Sequence, residues 1–483
     1  MHHIFYDEIC SFISNFNNLL WGFGTVLFVF GSGIFLTIRM KGFNIFRIVH
    51  IFKSTLFRKK SDAENNSGGI SQFQALSTAL AASMGTGNIV GVAAAISVGG
   101  AGAIFWMWIS ALFGTSLALA ENILGVKYKN LSPVKLRKKP VSADSTSPEK
   151  PKSSTEPAFP EEHTSPAGPM TYISKGLGGH IFAVIYAAVC LFASFGIGNM
   201  TQTNAIASAA SEIGISPVFA GAAAAILCGM IIFRGAKKTA AAAERIIPAI
   251  SVLYFAAAVA VIIVFRNNIG EMLRTIFLSA FGFRQAAGGF LGTAVKKAVS
   301  VGLRRGVFSN EAGMGSSVLV HTETNCAEPV QMGMWAVAEV FIDTIICCSL
   351  TAFVILLTGA DSCKGEGLAM AAEGFRRGLG NYAADFVAVS AMIFAFCTLL
   401  GWYFYGEKCL LFISKEKNSR RNLFIFRTVY TAAAFIGSVS QLSLIWNTAD
   451  IFNWLMLIIN LFSILVLSGE AVECVKEYKK DNL

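Results

Sequence analysis

Apolar positions along this chain gather into runs that are too long and too free of charge for the core of a water-soluble domain. Leu19–Ile38, Val218–Phe233, Ile246–Phe265 and Ile451–Leu467 contain no charged residue, and a helix needs about 20 mostly apolar residues to cross the hydrocarbon core of a bilayer. Taken in order, the runs predict a leading helix at Leu19–Ile38 and ten core helices. These fall at Leu76–Val98, Ala103–Val126, Ile181–Asn204, Val218–Phe233, Ile246–Phe265, Ala294–Leu319, Gly333–Thr358, Phe386–Ile413, Leu423–Gln441 and Ile451–Leu467. The expected fold class is an all-α membrane protein of about eleven transmembrane helices.

Basic residues refine the picture, because loops on the cytoplasmic side collect Lys and Arg. Arg39, Lys41, Arg47, Lys53, Arg58, Lys59 and Lys60 follow the leading helix, and the next connection, Gly99–Gly102, has no charge. Lys127, Lys129, Lys135, Arg137, Lys138 and Lys139 then form a basic connection, as do Arg234, Lys237, Lys238 and Arg245, and later Lys415, Lys417, Arg420 and Arg421. The alternation places the N-terminus outside and the C-terminus in the cytoplasm of a multi-pass plasma-membrane protein of the bacterial inner-membrane type. Ala294–Leu319 is the exception, with Lys296, Lys297, Arg304, Arg305 and Glu311 inside it. Loop parity requires a crossing there, and a re-entrant segment is the competing reading.

The chain divides accordingly into an outer N-terminus with the leading helix (1–38), a cytoplasmic basic segment (39–71), two halves (72–267 and 268–470) and a cytoplasmic C-terminal tail (471–483). Residues 131–166 are rich in Ser, Thr, Pro, Lys and Glu. They have too little apolar surface to fold and read as a disordered cytoplasmic insertion.

Composition excludes several functions. Hydrophobic residues make up 54% of the chain and charged residues 14%, and the mean hydropathy is +0.58, so the lipid bilayer is the expected surrounding. The net charge of +10 comes from residues between apolar runs, which argues for topology and against nucleic acid. The ten cysteines lack paired spacing and read as small core residues. Residues 1–18 contain no Lys or Arg, unlike a secretory signal. HExxH, GxSxG and Walker patterns are absent, so no enzyme and no cofactor are expected.

Two segments break the helical pattern. Gly85-Thr86-Gly87-Asn88 interrupts the first core helix, and Phe308-Ser309-Asn310-Glu311-Ala312-Gly313-Met314-Gly315 interrupts the sixth. A break at membrane depth frees N–H groups on one half-helix and C=O groups on the other, which is tolerated where a polar solute uses them. A carboxylate suits the N-terminal end and a cation the exposed carbonyls. Breaks in matched positions five helices apart fit a five-plus-five inverted repeat, the arrangement of secondary transporters. Close packing alone, through Gly87-x-x-x-Gly91, leaves Thr86 and Asn88 unexplained.

The chain also resembles the alanine or glycine:cation symporter family, over most of residues 68–412. The matching segments are TALAASMGTGNIVGVA (Thr78–Ala93), GAIFWMWISALFG (Gly102–Gly114), GPMTYISKGLG (Gly168–Gly178), FGIGNMTQTNAIA (Phe195–Ala207), RGVFSNEAGMGSS (Arg305–Ser317) and TLLGWYFYGEK (Thr398–Lys408). Ala101 and Ala167 depart from the usual proline and glycine, both in loops. The resemblance implies a leucine-transporter-like 5+5 fold preceded by one extra helix. It also implies uptake of small neutral amino acids, alanine or glycine, by symport with sodium, with protons as the competing driver. A passive channel is the remaining rival, and a monomer is expected.

On that basis the backbone amides of Gly85, Thr86 and Gly87 are expected to meet the substrate carboxylate, with Asn88 at the edge of the site or on the ion. Phe195 is expected to wall the pocket, and Asn199 or Gln202, which share a helix face, to bond the polar end of the amino acid. Phe308, Ser309 and Asn310 are expected at the ammonium, and Trp402 as a lid that limits side-chain size. The resemblance implies a sodium between core helices one and eight, held by Thr398 and carbonyls near Ala82. Glu311 reads equally as a coupling carboxylate or as the partner of Arg304 or Arg305. Glu339 and Asp343, four residues apart, read as one helix face, serving an ion path or pairing with basic residues.

Overall fold

The computed structural model describes residues 11–17, 19–57, 70–131, 167–282, 291–363, 365, 367–414, 419–440 and 442–482. The 131–166 insertion lies, from residue 132 on, outside the described residues, as do Arg58, Lys59, Lys60, Lys415 and Lys417. Among the described residues there is no strand, only an isolated bridge between Ile70 and Thr324.

A helix occupies each of the eleven apolar runs. We number the principal helices α1 (Phe23–Arg39), α2 (Gln72–Ser83), α3 (Val90–Gly99), α4 (Gly102–Asn130), α5 (His180–Phe195), α6 (Thr201–Glu212), α7 (Pro217–Ile232), α8 (Ala236–Val264) and α9 (Ile269–Ala280). The second half contains α10 (Leu291–Asn310), α11 (Pro329–Val340), α12 (Ser349–Leu357), α13 (Leu368–Leu379), α14 (Asn381–Ile413), α15 (Ser419–Val439), α16 (Leu442–Val466) and α17 (Ser468–Asn482). Among the described residues, seven continuous helical segments are long and apolar enough to cross a membrane, and the bent pair of α2 with α3 is an eighth. The apolar helices α1 and α7 are shorter. With its Lys and Arg residues, α10 is not among the seven.

Local chemistry explains several boundaries. α2 opens with a capping box in which Ser71 Oγ accepts from the Gln74 amide and Gln74 Oε1 accepts from the Ser71 amide. Pro217 and Pro329 begin α7 and α11, where a missing N–H is harmless. Of the numbered helices, α9, α13 and α17 lie between the apolar runs. In α13, Met370, Ala371, Gly374 and Phe375 are buried, while Glu373 pairs with Arg376 and Arg377, an amphipathic pattern of only three turns. The expected tail is α17, docked by a Tyr128–Glu470 hydrogen bond of 2.8 Å and by Lys479 donating to the Met40 carbonyl at 3.1 Å.

Helix ends sort by charge. At one end of the bundle Lys127 pairs with Glu470 at 2.9 Å, Lys408 with Glu323 at 2.6 Å, and Arg39 bonds Ser468 at 2.5 Å. Lys129 donates to the carbonyls of Thr322 and Thr324 at 2.6 and 2.7 Å. At the start of α4, Trp106 donates to the Ala280 carbonyl of α9.

The interior is organised around α4, which packs extensively on α10 and α11. Glycines allow the α4–α10 approach: a Cβ on Gly302 would lie 2.4 Å from the Ala103 carbonyl oxygen, and one on Gly306 would lie 2.6 Å from Ser110 Cβ. Gly302→Ala forces backbone apart, so we expect a loss of about 1–3 kcal/mol, read as a lower melting temperature of the purified protein in detergent.

Candidate functional site

The first break is where the sequence places it. α2 ends as the Met84 amide bonds the Leu80 carbonyl, Gly85 leaves the helical conformation, and Thr86–Asn88 form a single 3₁₀ turn before α3. The two halves are bent by 64°. The turn opens a helix, and a helix start leaves its leading N–H groups without acceptors in the preceding chain; Thr86, Gly87 and Asn88 hold those positions.

Close approaches at glycine fix what surrounds this turn. A Cβ on Gly85 would lie 2.5 Å from Thr398 Oγ1 of α14 and 3.1 Å from Gln202 Oε1 of α6. One on Gly401 would lie 2.7 Å from the Ala82 amide nitrogen, and one on Gly87 would meet Ser309 Cα at 3.8 Å. Thr398 Oγ1 donates to the Ala81 carbonyl at 2.9 Å. Ala82, Gly85, Thr398 and Gln202 therefore share one crossing, and Gly87 faces the second break.

That second break follows α10. Glu311 has φ +53°, a left-handed conformation rare outside glycine, and Gly313 and Gly315 also have positive φ. Side chains from four helices or helix ends support the turn. Trp402 Nε1 and Ser316 Oγ donate to Glu311 at 3.1 and 2.6 Å, Tyr186 donates to the Met314 carbonyl, and Asn460 to that of Gly313. Glu121 accepts from the Gly315 amide at 3.1 Å and from Asn460 at 2.8 Å. Among the described residues no ion pair joins Glu311 to Arg304 or Arg305, and Arg304 pairs with Asp450 at 2.6 Å. Its partners lie on α14 and on its own turn.

Asp343 joins the two breaks. Asn88 Nδ2 donates to its carboxylate at 2.8 Å and Ser309 Oγ at 2.7 Å; Thr344 Oγ1 adds a third bond at 2.9 Å. Glu339 pairs with His321 at 2.9 Å, whereas the Asp343 carboxylate turns to the two breaks. Phe341–Cys348 is π-helical, and the wider turn shifts the angular register between the two acids. Such stretches frequent functional sites. A second one, Gly196–Met200, precedes α6.

Two expected site residues point elsewhere. Phe195 packs on Phe426 and Tyr430, and Asn199 donates to the Tyr430 carbonyl at 2.7 Å. Asn310 is engaged with Thr344 and with the Ala312 amide. Of the pair Asn199 and Gln202, it is Gln202 that faces the first break. Phe308 is half-buried, with Arg305 5.9 Å from its ring centroid. Trp402 is fully buried against Gly198, where a Cβ would lie 2.0 Å from Trp402 Cβ.

The site is enclosed but not apolar. Thr86, Asn88, Gln202 and Asp343 are all at most 3% exposed. Yet Thr86 Oγ1, Asn88 Oδ1 and Gln202 Oε1 have no hydrogen-bond partner among the described residues, and buried polar atoms are rarely left so. A mostly apolar cleft between α1, α4 and α10, lined by Trp21, Phe113, Gly114, Arg304 and Ala312, reaches the second break.

A model of the sodium:alanine symporter family matches residues 6–136 and 160–482. The chain belongs to the sodium:alanine symporter family. Among its relatives, the sodium/alanine symporter AgcS of Methanococcus maripaludis is 35% identical, over 98% of each chain. The probable sodium/glutamine symporter GlnT of Bacillus subtilis is 34% identical over 96% of this chain and 89% of its own. The amino-acid carrier protein AlsT of the same organism is 33% identical over 99% and 93%. As a member of this symporter family, the chain is a sodium-coupled amino-acid transporter and not an enzyme.

Gly85→Ala inserts a methyl group between α2, α6 and α14. We expect uptake per inserted molecule to fall at least about tenfold, the equivalent of roughly 1.4 kcal/mol of lost binding, in a transport assay normalised to protein in the membrane.

Proposed function

We propose that the protein takes up a small neutral amino acid, alanine or glycine, together with sodium, by alternating access around the two helix breaks. The observation that carries this reading is the group of unpartnered buried atoms at the first break, Thr86 Oγ1, Asn88 Oδ1 and Gln202 Oε1. They lie beside a helix start suited to a carboxylate. In this reading the amides of Gly85, Thr86 and Gly87 bind the substrate carboxylate, Gln202 orients it, and Phe308 and Ser309 line the ammonium side. A sodium ion sits at the crossing of Ala82 and Thr398. Phe195, Asn199 and Asn310 act indirectly, by seating the helices that carry these groups.

Burial of the site supports alternating access. A solute reaches residues this enclosed only when helices separate on one side, and the breaks are natural hinges. We further propose the topology of eleven crossings in a 5+5 repeat after α1, with the N-terminus outside and the basic end of the bundle cytoplasmic. The alternation of basic connections and the gathering of Lys127, Lys129 and Lys408 with α17 at one end support it.

In proteoliposomes, an inward sodium gradient should drive accumulation of labelled alanine, and collapsing that gradient should abolish it. Accumulation driven by a pH gradient alone would assign protons as the driver, and equilibration without any gradient would assign a channel. Trp402→Ala opens space beside Gly198 and removes the donor to Glu311. It should let larger neutral amino acids such as glutamine compete with alanine; unchanged competition would remove Trp402 from the pocket wall.

A further inference from the structure

We infer that residues 41–57 form a docking surface for anionic phospholipid headgroups, on the side that the proposed topology makes cytoplasmic. The surface starts where α1 ends. Lys41 and Gly42 are both left-handed, with φ of +54° and +61°, and two short helices follow, Phe43–Phe46 and Ile48–Ser54. One side of this stretch is bound to the bundle. Phe43 and Ile51 are fully buried, Asn44 donates to Thr115 of α4 at 2.8 Å, and Gln331 of α11 donates to the Ser54 carbonyl at 2.7 Å. The other side presents large apolar groups in the open, with Phe46, Val49 and Phe57 82%, 76% and 78% exposed. Phe35 and Ile38, in the last turn of α1, are exposed as well. The surface therefore continues the outer face of a span, which meets hydrocarbon.

Charge selects the lipid. Arg39, Lys41, Arg47 and Lys53 stand among these apolar groups, all exposed, and residues 39–57 contain no acid. None of the four belongs to an ion pair among the described residues. The neighbouring α17, joined to this stretch by Tyr478 and His50 at 3.1 Å, does not neutralise them. Its Glu470 pairs with Lys127, and its Glu473, Glu477 and Asp481 are matched in number by Lys476, Lys479 and Lys480. Exposed aromatic and aliphatic groups interleaved with uncompensated cations fit the boundary between acyl chains and anionic headgroups. A soluble partner could cover the cations, but not apolar surface that runs on into α1.

Position gives the surface its consequence. Phe52, half-buried within the stretch, packs edge-on against Phe341 with 5.1 Å between ring centroids. Phe341 opens the π-helical stretch that carries Asp343. Headgroups that hold residues 41–57 in place thereby steady the segment that joins the two breaks, so anionic lipid should raise the rate of transport.

Full-length protein in vesicles of phosphatidylcholine, with and without phosphatidylglycerol, tests this. Sodium-driven alanine uptake per molecule should rise at least about threefold with phosphatidylglycerol, as expected when several cations meet an anionic surface. Concentrated choline chloride should remove the rise by screening. The triple variant Lys41→Gln, Arg47→Gln, Lys53→Gln should keep the wild-type rate in phosphatidylcholine alone and lose the stimulation. A second readout needs no transport. A bimane label on Phe46→Cys, read against protein without that cysteine, should be quenched by brominated lipid, more by phosphatidylglycerol than by phosphatidylcholine, and the triple variant should abolish the difference. Uptake indifferent to phosphatidylglycerol, stimulation undiminished in the triple variant, or equal quenching by the two lipids would overturn the inference. So would a label that brominated lipid does not reach, since a second copy of the chain or another protein would then cover the face. A wild type that takes up no alanine in either lipid would instead sink the transport reading, and the label would decide the lipid surface by itself.

Discussion

An interrupted helix inside an apolar bundle carries peptide groups that neither lipid nor aliphatic side chains can satisfy, and this demand organises the centre of the molecule. Two such interruptions meet here, and the Asp343 carboxylate accepts from a side chain on each. Around the second, Glu121, Asn460, Tyr186 and Trp402 hold the turn through direct hydrogen bonds. Around the first, several oxygens are left without donors. The second turn is thus completed by protein, whereas the first leaves Thr86 Oγ1, Asn88 Oδ1 and Gln202 Oε1 without a partner among the described residues.

Glycine determines how closely the supporting helices approach. Gly401 lets α14 lie on the Ala82 backbone, Gly198 admits Trp402, and Gly302 with Gly306 seats α10 on α4. These contacts leave little slack between the helices, and only at the breaks does the backbone of α2 and α10 depart from the helical path. Strain at Glu311, left-handed without being glycine, is sustained by its bonds to Trp402 and Ser316, as over-determined conformations at functional sites commonly are.

Much of this was legible in the sequence, because hydrophobic runs and charge alternation follow directly from the solvent. Both breaks were readable from glycine and polar residues inside apolar runs, and the approach of Thr398 to the first from a family resemblance. What escaped has specific causes. α9, α13 and α17 are amphipathic and lie between the apolar runs. Asn199 and Gln202 share a face three residues apart, but spacing alone does not say that Asn199 bonds to α15 while Gln202 turns to Gly85. Phe195 joined an aromatic group with Phe426 that no local pattern announces. Asp343 was read with Glu339 because the α-helical period pairs them, and the partnership with Asn88 depends on a contact between residues 255 positions apart.

The departure from that period at Phe341–Cys348 bears on the whole span and not on Asp343 alone. A π turn amounts to one surplus residue accommodated in an otherwise regular rod, and it rotates everything downstream relative to everything upstream. Helical wheels drawn through α11 and α12 as one continuous span therefore assign the wrong azimuth to half of their side chains. Removing a single residue there would restore the ordinary pitch and turn a different side chain toward the two breaks, while the span kept its apolar surface and its backbone bonding.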